Sequence, residues 1–224
     1  MRIGNANYDN LRDLPEVVPV FPLAGALLLP RSHLPLNIFE PRYLAMIDAA
    51  LAGDRLIGMV QPTFDSDENA DPCPLCAVGA LGRIVSIQET GDGRYLLQLG
   101  GVCRFAIREE LDSGTPFRTC SISAERFADD LAAPDDAAQD IDRVALIEAF
   151  QNYLDANDLK ADWKSVRTAS NEALVNTLAM MSPYGPREKQ ALLEAPDLKS
   201  RAATLVAITE IQLARQASDK PILN

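Results

Sequence analysis

Between residues 17 and about 127, apolar and polar positions alternate in short runs closed by Pro, Gly and Asp, and this period of two predicts strands. The runs fall at 17–23, 34–39, 55–61, 81–89, 94–99, 102–108 and 118–126. Gly91-Asp92-Gly93 reads as a hairpin turn because glycine supplies positive φ without steric cost, and Gly100-Gly101 reads as a break between two strands. One helix interrupts the strands. It starts at Pro41, where a missing N–H costs nothing, runs to Ala52 before Gly53, and carries Leu44, Ile47 and Leu51 at helical spacing. Residues 63–74 are acidic and poor in apolar groups, so they read as a mobile loop. Residues 1–14 show no period and read as a frayed tail.

After an acidic stretch at 129–140 the period changes to about 3.6 and stays there. Ile141, Val144, Ile147, Phe150 and Leu154 mark one helix, and Leu174, Leu178 and Met181 mark a second that stops at Ser182-Pro183. A third begins at Pro186. Asp197 is placed to cap a fourth, with Leu198, Ala202, Leu205, Ile208 and Ile211 on its apolar face. The expected class is α+β, with a small β-barrel or sandwich over 15–128 and a helical bundle over 136–224.

Charge narrows the partners. The 224 residues carry a net charge of -11, and no half is basic, so a nucleic-acid backbone meets a repulsive field unless arginines gather on one face. The uncharged run 17–30, which no other exceeds in length, contains Pro19, Pro22, Gly25 and Pro30 and is too short to span a bilayer, so no membrane partner is expected. Residues 1–14 lack the apolar stretch of a secretory signal, and with four cysteines this favours reduced thiols in a cytoplasmic protein.

Candidate chemistry is sparse. His33 is the single imidazole, set between Pro30 and Pro35, and no nucleophile motif or phosphate-cradling glycine loop occurs. Cys73 and Cys76 have the C-x-x-C spacing of half a zinc site, and a second pair is missing because Cys103 and Cys120 sit 17 residues apart. Zinc is therefore the weaker alternative, no catalytic residue is assigned and no cofactor is expected. In the run 21–39, Phe21, Leu23, Leu27, Leu28, Leu29, Leu34, Leu36 and Phe39 are too many large apolar groups for strand alternation to bury, so some are expected on the surface.

Val18-Pro19-Val20-Phe21-Pro22-Leu23, Leu28-Leu29-Pro30 and Leu34-Pro35-Leu36-Asn37-Ile38-Phe39-Glu40-Pro41-Arg42-Tyr43 resemble the start of the Lon N-terminal (Lon substrate-binding) domain family. Val78-Gly79 with Gly82-Arg83-Ile84, Gly93-Arg94-Tyr95-Leu96-Leu97, Gly101 with Arg104-Phe105, and Glu188-Lys189-Gln190-Ala191-Leu192-Leu193-Glu194 continue the likeness. It implies a PUA-like pseudo-barrel followed by helices, and a free-standing, non-enzymatic module that recognises unfolded or exposed apolar polypeptide segments and works beside proteolysis machinery. No Walker motif and no peptidase module accompany it in this sequence. Glu40, Arg42 and Tyr43 at the strand-to-helix junction, with Phe21 and Leu28, are the polypeptide-binding candidates. Phe39 is expected to end a strand in the core, and Glu40 to favour the positive end of the helix. The rival reading is a PUA-like RNA-binding module, which requires arginines 83, 94, 104, 108 and 118 to share one positive face.

Overall fold

A computed structural model describes residues 1–64, 73–133, 140–157, 160 and 162–218. The strands are β1 (Arg2–Ile3), β2 (Ala6–Asn7), β3 (Val17–Pro22), β4 (His33–Ile38), β5 (Leu56–Val60), β6 (Val78–Glu89), β7 (Tyr95–Leu111) and β8 (Arg118–Ser123). Helix α1 (Pro41–Ala52) lies between β4 and β5, and α2 (Arg143–Ala156), α3 (Trp163–Thr168), α4 (Asn171–Met181), α5 (Pro186–Glu194) and α6 (Leu198–Ser218) follow β8. The α+β class and the barrel-then-helices order agree with the sequence.

The sheet runs β4-β7-β6-β5-β3-β8, and a further β7–β8 pairing closes β3, β5, β6, β7 and β8 into a barrel. β3 and β5 are parallel and the other pairs antiparallel. One long strand makes closure possible. β7 passes through Gly100-Gly101 without a break, pairing first with β4 and β6 and then with β8, so the two expected strands are one. The glycines serve close approach instead. A Cβ on Gly101 would overlap the Leu29 carbonyl oxygen and stand 2.9 Å from its carbon. The register shift between Leu81 and Gly82 at this point bends the pair and turns the sheet towards closure.

The surplus of apolar residues in 21–39 is resolved by a loop. Between β3 and β4 the chain turns at Gly25 and Arg31, both with positive φ, and folds Leu27, Leu28 and Leu29 into the interior, where Leu28 and Leu99 both crowd Gly82. The N-terminal tail is also ordered. β1 and β2 pair, Ile3 and Tyr8 are buried, and Arg83 donates to Tyr8 Oη and Asn5 Oδ1.

The chain divides into two compact units, and the division does not follow a single cut. One holds 1–133 with 184–193, and the other holds 134–183 with 194–224. The expected spans, 15–128 and 136–224, differ from these units in placing 1–14 outside both and 184–193 with the helices. In the barrel unit a 3-10 helix, Glu125–Leu131, follows β8, and its Asp130 meets Arg104 of β7 in a buried pair. Asp130 accepts from the Arg104 backbone N–H, Nε and Nη2 at 2.9, 2.9 and 2.8 Å, while Arg104 Nη1 donates to the Leu193 carbonyl at 3.1 Å. Buried amides bind α5 at a second point. Gln61 Nε2 donates to Pro186 O and Gln190 Oε1, and Gln190 Nε2 donates to Val78 O.

In the helical unit, α2, α4 and α6 begin on side-chain caps from Asp142, Ser170 and Asp197. Leu146, Tyr153, Leu154, Leu174, Val175, Leu178 and Leu205 form its core. The buried stripe of α2 is rotated from the expected one, which leaves Val144 exposed, and Met181 and Ile211 are exposed too. Lys199 bonds Asp140 near one end of the α2–α6 pair and Gln216 bonds Asn157 near the other, so these two helices run parallel. Residues 134–139, half of the expected linker, lie outside the described residues, as do 65–72 of the acidic loop.

Candidate functional site

The junction of β4 and α1 assembles three of the expected residues. Glu40 is the N-cap residue of α1 with extended backbone, and its side chain makes no cap hydrogen bond. It accepts from Arg42 instead, at 2.9 Å from Nε and 2.8 Å from Nη2. The Arg42 guanidinium lies over the Tyr43 ring, 4.6 Å from its centroid. Tyr43 is buried against Phe21, with ring centroids 4.2 Å apart, and burial pushes its hydroxyl pKa up while Arg42 opposes the shift.

Phe21 and Leu28 do not reach the surface. They are 7% and 1% exposed, Phe21 under Tyr43 and Leu28 at the tip of the inward-folded loop, so neither side chain presents an apolar contact to a partner. Phe39 corrects the sequence reading in the other direction. It is 60% exposed, because β4 turns Leu36 and Ile38 inwards and Asn37 and Phe39 outwards. Asn37 pairs with Leu96 and Ile38 with Tyr95, which makes Phe39 and Leu96 diagonal neighbours on the outer face. Leu96 is 42% exposed, Pro35 is exposed on the same face, and the Arg94 guanidinium stands 5.7 Å from the Phe39 ring centroid. This apolar face borders the Glu40–Arg42 pair and was not singled out as a site from sequence.

The remaining candidates separate. His33 is exposed at the start of β4, opposite Gly100. Leu75 bridges Pro62, and Thr63 and Cys76 donate to Pro74 O and Gln61 O, which holds this stretch extended. Two residues, Pro74 and Leu75, lie between Cys73 and Cys76 in this stretch. Among the described residues no group of three or more His, Cys, Asp or Glu side chains could hold a metal ion. All four cysteines are free thiols.

The five arginines of the RNA reading are each bound within the protein. Arg83 meets Asp54 O, Arg94 meets Asp92, Arg104 meets Asp130, Arg108 meets Glu125, and Arg118 makes two bonds to Glu110. Among the described residues no helix is long and apolar enough to cross a membrane.

Residues 17–210 match the family of the ATP-dependent protease La (LON) substrate-binding domain. The chain belongs to this family. Lon protease 2 of Myxococcus xanthus is 26% identical over 198 residues, covering 86% of this chain and 23% of that protein. Lon protease 2 of Sorangium cellulosum is 29% identical over 210 residues, covering 88% of this chain and 25% of that protein. The chain thus spans about a quarter of the length of these relatives. The Lon N-terminal domain protein from Xanthomonas campestris superposes with a TM-score of 0.57 at 19% identity, over 85% of this chain and 97% of that one. The N-terminal domain of Lon protease from the Mycobacterium avium complex gives 0.61 at 19%, over 87% and 98%.

The residues by which the sequence resembles Lon substrate-binding domains have physical work in this fold. Gly79 faces the Phe105 ring and the Met59 carbonyl, where a Cβ would stand 2.7 Å from each. Arg104 holds Asp130, and the late string supplies Gln190 and the Leu193 carbonyl to the barrel. Most of the string 34–43 builds β4 and the turn into α1, and it also carries Pro35 and Phe39 on the outer face.

Proposed function

We propose that this Lon substrate-binding domain takes exposed apolar segments of unfolded polypeptides on the outer face of β4 and β7, and neither makes nor breaks a covalent bond. The exposure of Phe39, Leu96 and Pro35 on one face carries this reading, because apolar side chains on the surface of a strongly acidic chain gain free energy when covered. Pro35 removes one backbone donor from an edge strand, which favours side-chain packing over strand addition. Glu40 and Arg42 form the polar rim, and their exposed mutual pair is cheap to rearrange towards a bound peptide. The setting is a reducing, cytoplasmic one beside proteolysis machinery that supplies ATPase and peptidase activity.

The test is titration of a fluorescent, permanently unfolded carboxymethylated polypeptide. Removing the Phe39 and Leu96 side chains together should weaken binding about tenfold to a hundredfold, because each is only partly exposed before binding and covering the rest of both contributes roughly 1.5–3 kcal/mol in total. Affinity should change little with added salt, and the protein should neither hydrolyse ATP nor cleave casein. Equal affinity of Phe39→Ala/Leu96→Ala and the parent would refute the site. RNA binding that collapses with salt, without polypeptide binding, would refute the function.

A further inference from the structure

The seam between the parallel helices α2 and α6 is not closed on its solvent side. A groove of about 350 Å³ runs along it, floored by Ile141 and Ala145 of the α2 end and by Ala203, Val206 and Ala207 of α6. The alanines keep the floor shallow enough for a third helix to approach at roughly 8–10 Å between axes. Ile211, 52% exposed, follows Ala207 by one turn and extends the apolar track.

The rim is acidic. Asp142 and Glu210 line the groove, Glu148 stands three residues beyond Ala145 on α2, and the single lysine of the lining, Lys199, is 2.7 Å from Asp140 and neutralised by it. A second copy of this chain would bring acid against acid, and a nucleic-acid backbone would be repelled in the same way. A helix with an apolar ridge between two rows of Lys or Arg satisfies both the floor and the rim.

We propose that the α2–α6 groove is a docking site for a basic amphipathic helix of a partner protein, separate from the β4–β7 face. The stretch from Lys199 to Glu210 measures roughly 18 Å, so three to four turns of the partner would be engaged.

The experiment titrates the full chain, in the Phe39→Ala/Leu96→Ala background, with a labelled peptide of about 18 residues that has leucine at every third or fourth position and lysine elsewhere. Its counterpart carries glutamate in place of lysine. The lysine peptide should bind saturably and the glutamate peptide at least tenfold more weakly. Ala203→Glu/Ala207→Glu adds acidic charge but fills the floor with polar groups, and should weaken the lysine peptide at least tenfold. Nonspecific attraction to an acidic protein would strengthen it instead, and that result would overturn the proposal. Glu210→Lys, on the exposed rim, should weaken binding several-fold with a shallower salt dependence, and it decides the matter if the double variant fails to fold by circular dichroism. Equal binding of both peptides, or a dimer of the parent chain that Ala203→Glu/Ala207→Glu turns into monomer, would also overturn it.

Discussion

Arg104→Ala is the perturbation with the largest calculable effect on the barrel. The guanidinium is 3% exposed and Asp130 7%, and the carboxylate accepts two side-chain bonds from Arg104 in addition to that from its backbone N–H. The substitution removes both side-chain bonds, the bond to Leu193 O, and the cation above the Phe127 ring at 4.6 Å. A buried carboxylate is then left with one backbone donor and without the guanidinium that pairs with it. Removing one partner of a buried pair costs about 3–5 kcal/mol, far more than an exposed pair contributes. Urea unfolding followed by tryptophan-independent far-UV circular dichroism should show that loss as a lower midpoint at unchanged slope. The double substitution Arg104→Met/Asp130→Leu should be less destabilised than Arg104→Ala, because no orphaned charge remains. A loss below about 1 kcal/mol for Arg104→Ala would show that water or a shifted side chain replaces the pair, and would refute its role in holding the 3-10 helix and α5.

Gly101→Ala should cost about 2–3 kcal/mol by the same measurement, since its Cβ would meet the Leu29 backbone, which cannot turn aside. Under native conditions at pH 8, iodoacetamide should modify Cys73 first by intact-mass spectrometry, because Cys76, Cys103 and Cys120 are buried. Burial, helped by Glu110, pushes the Cys120 thiol up to about 11, so between the ordinary thiol range and that value the unfolded chain loses a proton that the folded chain keeps. Stability should therefore fall as pH rises from about 9 to 11, and less so in Cys120→Val. A fragment ending at Ala133 should show weaker near-ultraviolet structure and a lower melting temperature than one in which 184–195 is rejoined by a short linker, since only the latter restores partners to Gln61 and Arg104.

Where structure follows from local periodicity, the sequence was readable. The alternation at 34–39 and the Glu40-Pro41 start of α1 are visible in the string itself, and the capping residues Asp142, Ser170 and Asp197 stand where the helices begin. The same alternation points Phe39 outwards once Leu36 and Ile38 are taken as core, so the exposed aromatic had a signal that its bulk concealed. The inward loop at Leu27, Leu28 and Leu29 had none. It depends on positive φ at Arg31, a residue that rarely adopts it, and on space above Gly101, more than 70 residues further on. The Arg104–Asp130 pair joins residues 26 apart, and nothing in an acidic stretch marks which carboxylate will be buried.

Helix α5 shows most clearly why boundaries are harder to read than elements. Its apolar spacing predicts a helix, but periodicity carries no record of the surface that a helix covers. Leu192 and Leu193 are buried in the unit that contains the barrel, although the chain has left that unit at residue 133 and returns only at residue 184. Closing an excursion of that length costs roughly 2 kcal/mol more than a tight connection of four residues would. The Gln61–Gln190–Val78 bonds, the Arg104 bond to Leu193 O and two buried leucines oppose that cost, each directed at α5 and at nothing before it. The late string in this sequence that resembles the Lon family is thus explained by barrel completion. Its residues are constrained by Gln61, Val78 and Arg104, which lie in or beside the strands, and the helices around it in sequence answer to a different core.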